Sequence, residues 1–228
     1  MDPGLFEYLN SFLTEERKAA FERVLSTRTR FLTVVLEDLH HQHNASACLR
    51  SCDCFGLQDV HIVERTNEFR PNAEIARGAS NWTTISRYRY MANPVETCVD
   101  QLRSAGYRVV GTSPRDEFPS IRELPFDQKT AIVFGNEHRG LSDQMYEAVD
   151  GCVRIPMVGF TESFNISVAV AVALYEATGR LREGRDDWQL TDEEKQELRI
   201  EWLKTTLGWK LQPYTQRYTE NLAQEEPA

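Results

Sequence analysis

Residues 130–142, TAIVFGNEHRGLS, and 153–179, VRIPMVGFTESFNISVAVAVALYEATG, decide how the chain folds. The apolar runs Ala131–Phe134 and Val153–Pro156 predict two short buried strands. Each empties into a loop rich in glycine and polar groups: Asn136, Glu137, His138 and Arg139 after the first, Thr161, Glu162, Ser163 and Asn165 after the second. The second loop enters a helix, Asn165 to about Ala177, that is apolar nearly all round. Such a helix must be buried on all sides, so it is central or shared with a second subunit. Taken singly, Ser163 or Asn165 reads as an ordinary helix N-cap. A cap does not require Gly135, Gly140 and Gly159, nor Glu137 beside Asn136. Loops that follow parallel strands are where open α/β folds bind ligands. Neither a G-x-G-x-x-G nor a G-x-x-x-x-G-K-[ST] pattern occurs, so dinucleotide and P-loop fingerprints are absent.

Working outward, Phe31–Leu36 is a continuous run of apolar and β-branched residues, the mark of a strand covered on both faces. Asn44 is placed to cap a helix over Ala45–Phe55, closed by Gly56. Arg50 falls in the middle of that helix, either as a surface salt-bridge residue or pointing into a site. Strands at Val60–Val63, Thr83–Ser86 and Tyr107–Thr112 alternate with helices at Ala73–Ala79 and Pro94–Ser104. This β-α-β alternation predicts an α/β fold, a mostly parallel sheet with helices on both faces. Thr112 then ends a strand beside the two that open the argument, and three strand termini converge on one crevice. Both ends are helical: Thr14 caps Glu15–Leu25, and Thr191 with Glu194 forms a capping box for a helix to about Leu207. The expected division is 1–29, 30–179 and 180–228, with a disordered tail from Gln224.

The net charge of −9 argues against binding nucleic acid by bulk electrostatics but leaves room for local basic patches. One such stretch carries Arg70, Arg77, Arg87 and Arg89 against Glu74, interleaved with Trp82, Tyr88 and Tyr90. That mixture suits a phosphate track with base stacking, although on composition alone a solvated sheet edge explains it better. Five cysteines show no disulfide spacing and no second pair to complete a zinc site, so they read as reduced, mostly buried residues of a cytoplasmic protein. His40, His41 and His43 lack a spaced acidic partner, so no metal is expected. No apolar run reaches the ~18 residues of a membrane span, and the N-terminus carries no secretory pattern.

FGNEHRGLS and IPMVGFTESFNISVAVAVALYE resemble the second and third motifs of the SpoU (SPOUT) family of RNA ribose 2'-O-methyltransferases. The family's first motif, an Asn followed six residues on by an Arg and then a Gly, is matched by Asn44, Arg50 and Gly56. Both ends of the chain are most similar to the branch acting on a D-loop guanosine of tRNA. The resemblance implies an α/β domain with a C-terminal trefoil knot, a homodimer joined through the apolar helix, tRNA as substrate and S-adenosyl-L-methionine as cofactor. It implies cofactor contacts at Thr112, Gly135, Ile155 and Phe164. It makes Arg50 the catalytic arginine, with Asn44, Glu137, Ser163 and Asn165 as the other matched positions. Ribosomal RNA as substrate, or a non-catalytic RNA-binding protein of the same fold, are the alternatives.

Overall fold

The computed structural model describes residues 1–70, 72, 76 and 78–225, with side chains through 222. Two helices open the chain, α1 (Pro3–Asn10) and α2 (Glu15–Leu25). Thr14 caps α2 by accepting the Arg17 amide, and Glu15 and Glu16 sit at its positive end. Then follow β1 (Leu32–Glu37), α3 (Gln42–Cys54), β2 (Asp59–Val63), β3 (Thr84–Tyr88), α4 (Pro94–Ser104), β4 (Arg108–Thr112), β5 (Thr130–Phe134), α5 (Asp143–Ala148), β6 (Gly151–Val153) and α6 (Ile166–Gly184). The chain closes with α7 (Asp192–Leu207) and α8 (Leu211–Glu225).

The six strands form one sheet in the order β3-β2-β1-β5-β4-β6, every neighbouring pair parallel. Leu32, Val34 and Leu36 of β1, with Ile132 and Phe134 of β5, face α3 and α6. Val35, Ala131 and Val133 point the other way, towards Val95, Val99 and Leu102 of α4 and Met145 of α5. Strands buried on both faces explain the unbroken apolar runs of the sequence. The chain runs outward from β1 through β2 to β3, then returns to the far side of β1 for the remaining strands. The C-terminal ends of β1, β5, β4 and β6 therefore lie side by side at the point where the winding reverses, which is where open sheets hold ligands.

Residues 29–189 form one compact unit, and residues 1–28 with 190–228 form a second. In the second unit, Arg199 of α7 makes two 2.6 Å bonds to Glu22 of α2, and Trp202 meets Phe21 edge-on. Thr191 and Glu194 form the expected capping box.

Several expectations shift. The cap of α3 is His41, which puts Asn44 inside the first turn. The third strand of the crevice ends at Val153, and Arg154 continues only as an isolated bridge to Ser120. Pro156 has no N–H to extend the ladder. α6 runs on to Gly184, seven residues beyond the predicted end. It is buried on one side only: Val170, Ala173, Leu174 and Ala177 are buried, whereas Val168, Val172 and Tyr175 are exposed. α8 was not foreseen; Tyr214 and Tyr218 on its inner face pack against Phe12 and Tyr8. It carries Gln224 and Glu225, so the helix reaches into the segment expected to be disordered. The Ala73–Ala79 helix lies largely outside the described residues.

Candidate active site

The loop after β5 folds back on itself. Asn136 and Gly140 exchange two backbone hydrogen bonds of 2.9 Å. The Asn136 side chain then accepts from the amides of His138 (2.9 Å) and Arg139 (3.3 Å), a local turn of the kind asparagine favours. Its amide nitrogen donates to the Asp38 carbonyl at 2.7 Å, fastening this loop to the end of β1. Gly140 holds the turn at φ 68°. Gly135 is required for a different reason: a Cβ there would lie 2.2 Å from the Gly140 carbonyl carbon and 2.3 Å from the Leu141 nitrogen.

Glu137 joins the two sides. One carboxylate oxygen accepts from the His40 amide at 3.0 Å; the other accepts from the His41 amide at 3.3 Å and the Asn44 side chain at 2.8 Å. Burial alone would raise its pKa, but these donors favour the charged form and hold it below the ordinary value. Asn44 in turn accepts from the Asn165 amide nitrogen at 3.2 Å. Asn165 caps α6, accepting from Ser167 N at 2.9 Å and Oγ at 2.7 Å. Its cap and its reach to Asn44 are thus made by opposite ends of one amide. Glu137, Asn44 and Asn165 form a chain that ties three loops together. The rings of His40, His41 and His138 cluster above it, centroids 4.7 to 6.0 Å apart.

These loops enclose a cavity of about 680 Å³. Leu141, Ile155, Met157, Phe164 and Ile166 supply apolar wall, and polar groups of the β4 and β5 loops line the rest. A slot of this size with apolar walls and a few placed polar partners suits a small cofactor. Among the described residues no group of three or more His, Cys, Asp or Glu is arranged to hold a metal ion.

Residues 31–175 match the model of the SpoU rRNA Methylase family. The chain belongs to that family. It is 40% identical over 86% of its length to the tRNA (guanosine(18)-2'-O)-methyltransferase of Borreliella burgdorferi, covering 88% of that protein. The crystal structure of the A. aeolicus TrmH/SpoU tRNA modifying enzyme matches with a TM-score of 0.74 at 30% identity, over 85% of this chain and 98% of that one. The SpoU methyltransferase AviRb of Streptomyces viridochromogenes, solved in complex with AdoMet, matches with a TM-score of 0.59 at 26% identity, over 72% of this chain and 62% of that one.

Of the residues the SpoU motifs single out, Asn44, Glu137, Ser163 and Asn165 line the cavity, and so do Thr112, Gly135, Ile155 and Phe164. Thr112 is partly committed elsewhere, its hydroxyl donating to the Val133 carbonyl at 2.9 Å. Arg50 stands apart. It is exposed on α3, outside the cavity lining, and makes no hydrogen bond or ion pair among the described residues. The motif order did not mark Asn136 as the keystone of its loop, nor Asp38 as its anchor; an asparagine two residues before a turn is the signal available for the first. His138 and Arg139, which the motif match gave no role, both border the cavity.

Proposed function

We propose that this SpoU enzyme transfers a methyl group from S-adenosyl-L-methionine to the ribose 2'-hydroxyl of guanosine 18 in tRNA. The observation that carries the substrate is the set of relatives bearing that name. At 40%, 35% and 31% identity they align over 88%, 97% and 81% of their own lengths. The apolar slot flanked by backbone polar groups fits the donor, with Thr112, Gly135, Ile155 and Phe164 as its contacts. Bound there, the donor supplies a methyl already activated on a sulfonium.

The protein's task is then position and charge. In an SN2 transfer the bond from the 2'-oxygen to the methyl carbon forms as the sulfur–methyl bond breaks, leaving a neutral thioether, and the hydroxyl gives up its proton to solvent water. A guanidinium, which keeps its proton throughout the working pH range, is a poor base. Arg50 instead grips a substrate phosphate and the 2'-oxygen, offsetting negative charge as it develops. Asn165 and Asn44 orient the ribose side, Ser163 contributes a hydroxyl at the cavity mouth, and Glu137 fixes the loop that carries them. No step calls for a Lewis acid, so activity persists in a chelator.

The exposed face of α6 supports a homodimer. Val168, Val172 and Tyr175 stand out of the surface, with Phe55 edge-on to Tyr175 at 6.4 Å. A second copy would cover this patch and the loop beside it. The C-terminal knot, a cytoplasmic setting and a tRNA-binding role for the two terminal segments belong to the same reading.

Incubation with labelled donor, followed by mass spectrometry of nucleosides from digested tRNA, tests the assignment. It expects 2'-O-methylguanosine at position 18. Label appearing only in ribosomal RNA would move the enzyme to the alternative suggested by the family's name. In sedimentation at micromolar concentration, a monodisperse and fully active monomer would rule out the dimer.

A further inference from the structure

A second cavity, of about 650 Å³, opens beyond the C-terminal ends of β2 and β3. Tyr90 stands at its edge with φ 57°, a conformation that side chains other than glycine and asparagine rarely adopt. Tyr90 is 89% exposed, so burial does not account for an aromatic here. The Arg89 guanidinium lies 4.2 Å from the ring centroid and is held by Glu68 at 2.6 Å. Of the aromatics interleaved with arginine in the sequence, Tyr88 is unavailable: it is buried, stacked on His61 and bonded to Gln101. Arg87 is likewise committed to Glu64, at 2.7 and 3.0 Å. Arg70, Arg87 and Arg89 are each paired to a carboxylate, and Tyr90 is the exposed ring beside them.

The wall between this cavity and the active site is thin. Asn67 lines the second cavity, and its side-chain oxygen lies 3.0 Å from the His40 ring, whose own backbone amide donates to Glu137. Asp143 lines the first cavity and its neighbour Gln144 the second. A strained, exposed aromatic, clamped by a guanidinium on one side and bordered by amide side chains, has the chemistry of a base-stacking platform.

We propose that this cavity is a second nucleotide subsite, in which Tyr90 stacks an unpaired base of the same RNA whose ribose is methylated next door. The inference rests on the RNA reading above. Its test compares the full-length protein with Tyr90→Ala and Tyr90→Phe. Affinity for unmodified tRNA transcript, affinity for S-adenosyl-L-methionine and thermal stability are measured for each. Stacking predicts about tenfold weaker RNA binding for Tyr90→Ala. Tyr90→Phe, which keeps the ring, stays within about twofold of wild type. Cofactor affinity is unchanged in both, since no part of the first cavity is altered. Equal RNA affinity in wild type and Tyr90→Ala overturns the subsite and leaves the methyltransferase reading standing. An equal loss in Tyr90→Phe also overturns it, by assigning the effect to the hydroxyl. Saturable binding of free guanosine monophosphate that depends on Tyr90, with RNA affinity unaffected, would make the cavity a mononucleotide site instead. Wild-type protein that binds no RNA at all would sink both readings.

Discussion

The loop after β5 and the loop after β6 meet the same cavity and are built in opposite ways. The first, residues 135–141, is locked by its own backbone, by the Asn136 side chain, by Asp38 and by Glu137. The second, residues 154–165, leaves Val158 and Phe160 as exposed as in an extended chain, and Phe164 43% exposed. Its last residue, Asn165, reaches across to Asn44, the partner of Glu137. The single chain therefore carries one finished wall and one unfinished wall. A wall this apolar and this open is one that the proposed second copy or the substrate would complete. Arg50 belongs with the unfinished half, since it too makes no hydrogen bond or ion pair among the described residues.

The largest effect is expected there. Arg50→Lys and Arg50→Ala should fold and bind cofactor normally, because the residue is exposed on α3 and neither substitution harms a helix. Both should lose methyl transfer by about 10²–10³-fold in single-turnover experiments at saturating tRNA and cofactor. The ammonium lacks the planar fork that grips phosphate and oxygen together. A near-normal rate for Arg50→Lys would remove the fork from the mechanism and return Arg50 to the surface.

The finished wall breaks at Gly135. Alanine there would drive its methyl into the Gly140 carbonyl carbon at 2.2 Å, and backbone cannot move aside as a flexible side chain can. Overpacking of this kind costs about 1–3 kcal/mol. In denaturant unfolding the Gly135→Ala variant should show that loss, together with weakened cofactor binding in calorimetry. Wild-type affinity in the variant would mean that the cofactor does not use this wall.

The sheet was legible in the sequence because strands buried on both faces read as unbroken apolar runs. α4 was legible to the residue, since Pro94 and Gly106 bracket it. The candidate site residues other than Arg50 fall together at one cavity because the loops that carry them follow neighbouring parallel strands, while Arg50 lies outside it. What the sequence hid follows from the same physics. Asn44 has the side chain of a cap, and only the fold shows that His41 ends the turn while Asn44 serves Glu137 instead. The apolar pattern of α6 could not say that its outer side is bare in one chain. α8 escaped notice because its contacts are aromatic, Tyr214 and Tyr218 four residues apart, within an otherwise polar stretch.

The smallest effect sharpens the comparison most, because it loosens the finished wall without blocking it. Glu137→Gln keeps size and shape but removes the charge that three donors share. A glutamine offers one acceptor oxygen, and its NH₂ would face either the His40 amide or the pair formed by the His41 amide and Asn44. At neutral pH the loss should be about 1 kcal/mol, discounted because the carboxylate is partly exposed. The pH dependence identifies the cause. The folded-state pKa of Glu137 lies below the ordinary value of 4.5. Its contribution is therefore fully present above pH ~4.5 and fades as pH falls through the lower folded value. The gap in unfolding free energy between wild type and Glu137→Gln should then be widest near pH 7 and shrink on acidification, whatever other carboxylates do to both proteins alike. Hydrogen exchange should quicken at the His40 and His41 amides in the variant at pH 7, bringing the 135–141 loop nearer to the openness of 154–165. A gap that stays constant across the acid range would show that shape, not charge, holds these loops together.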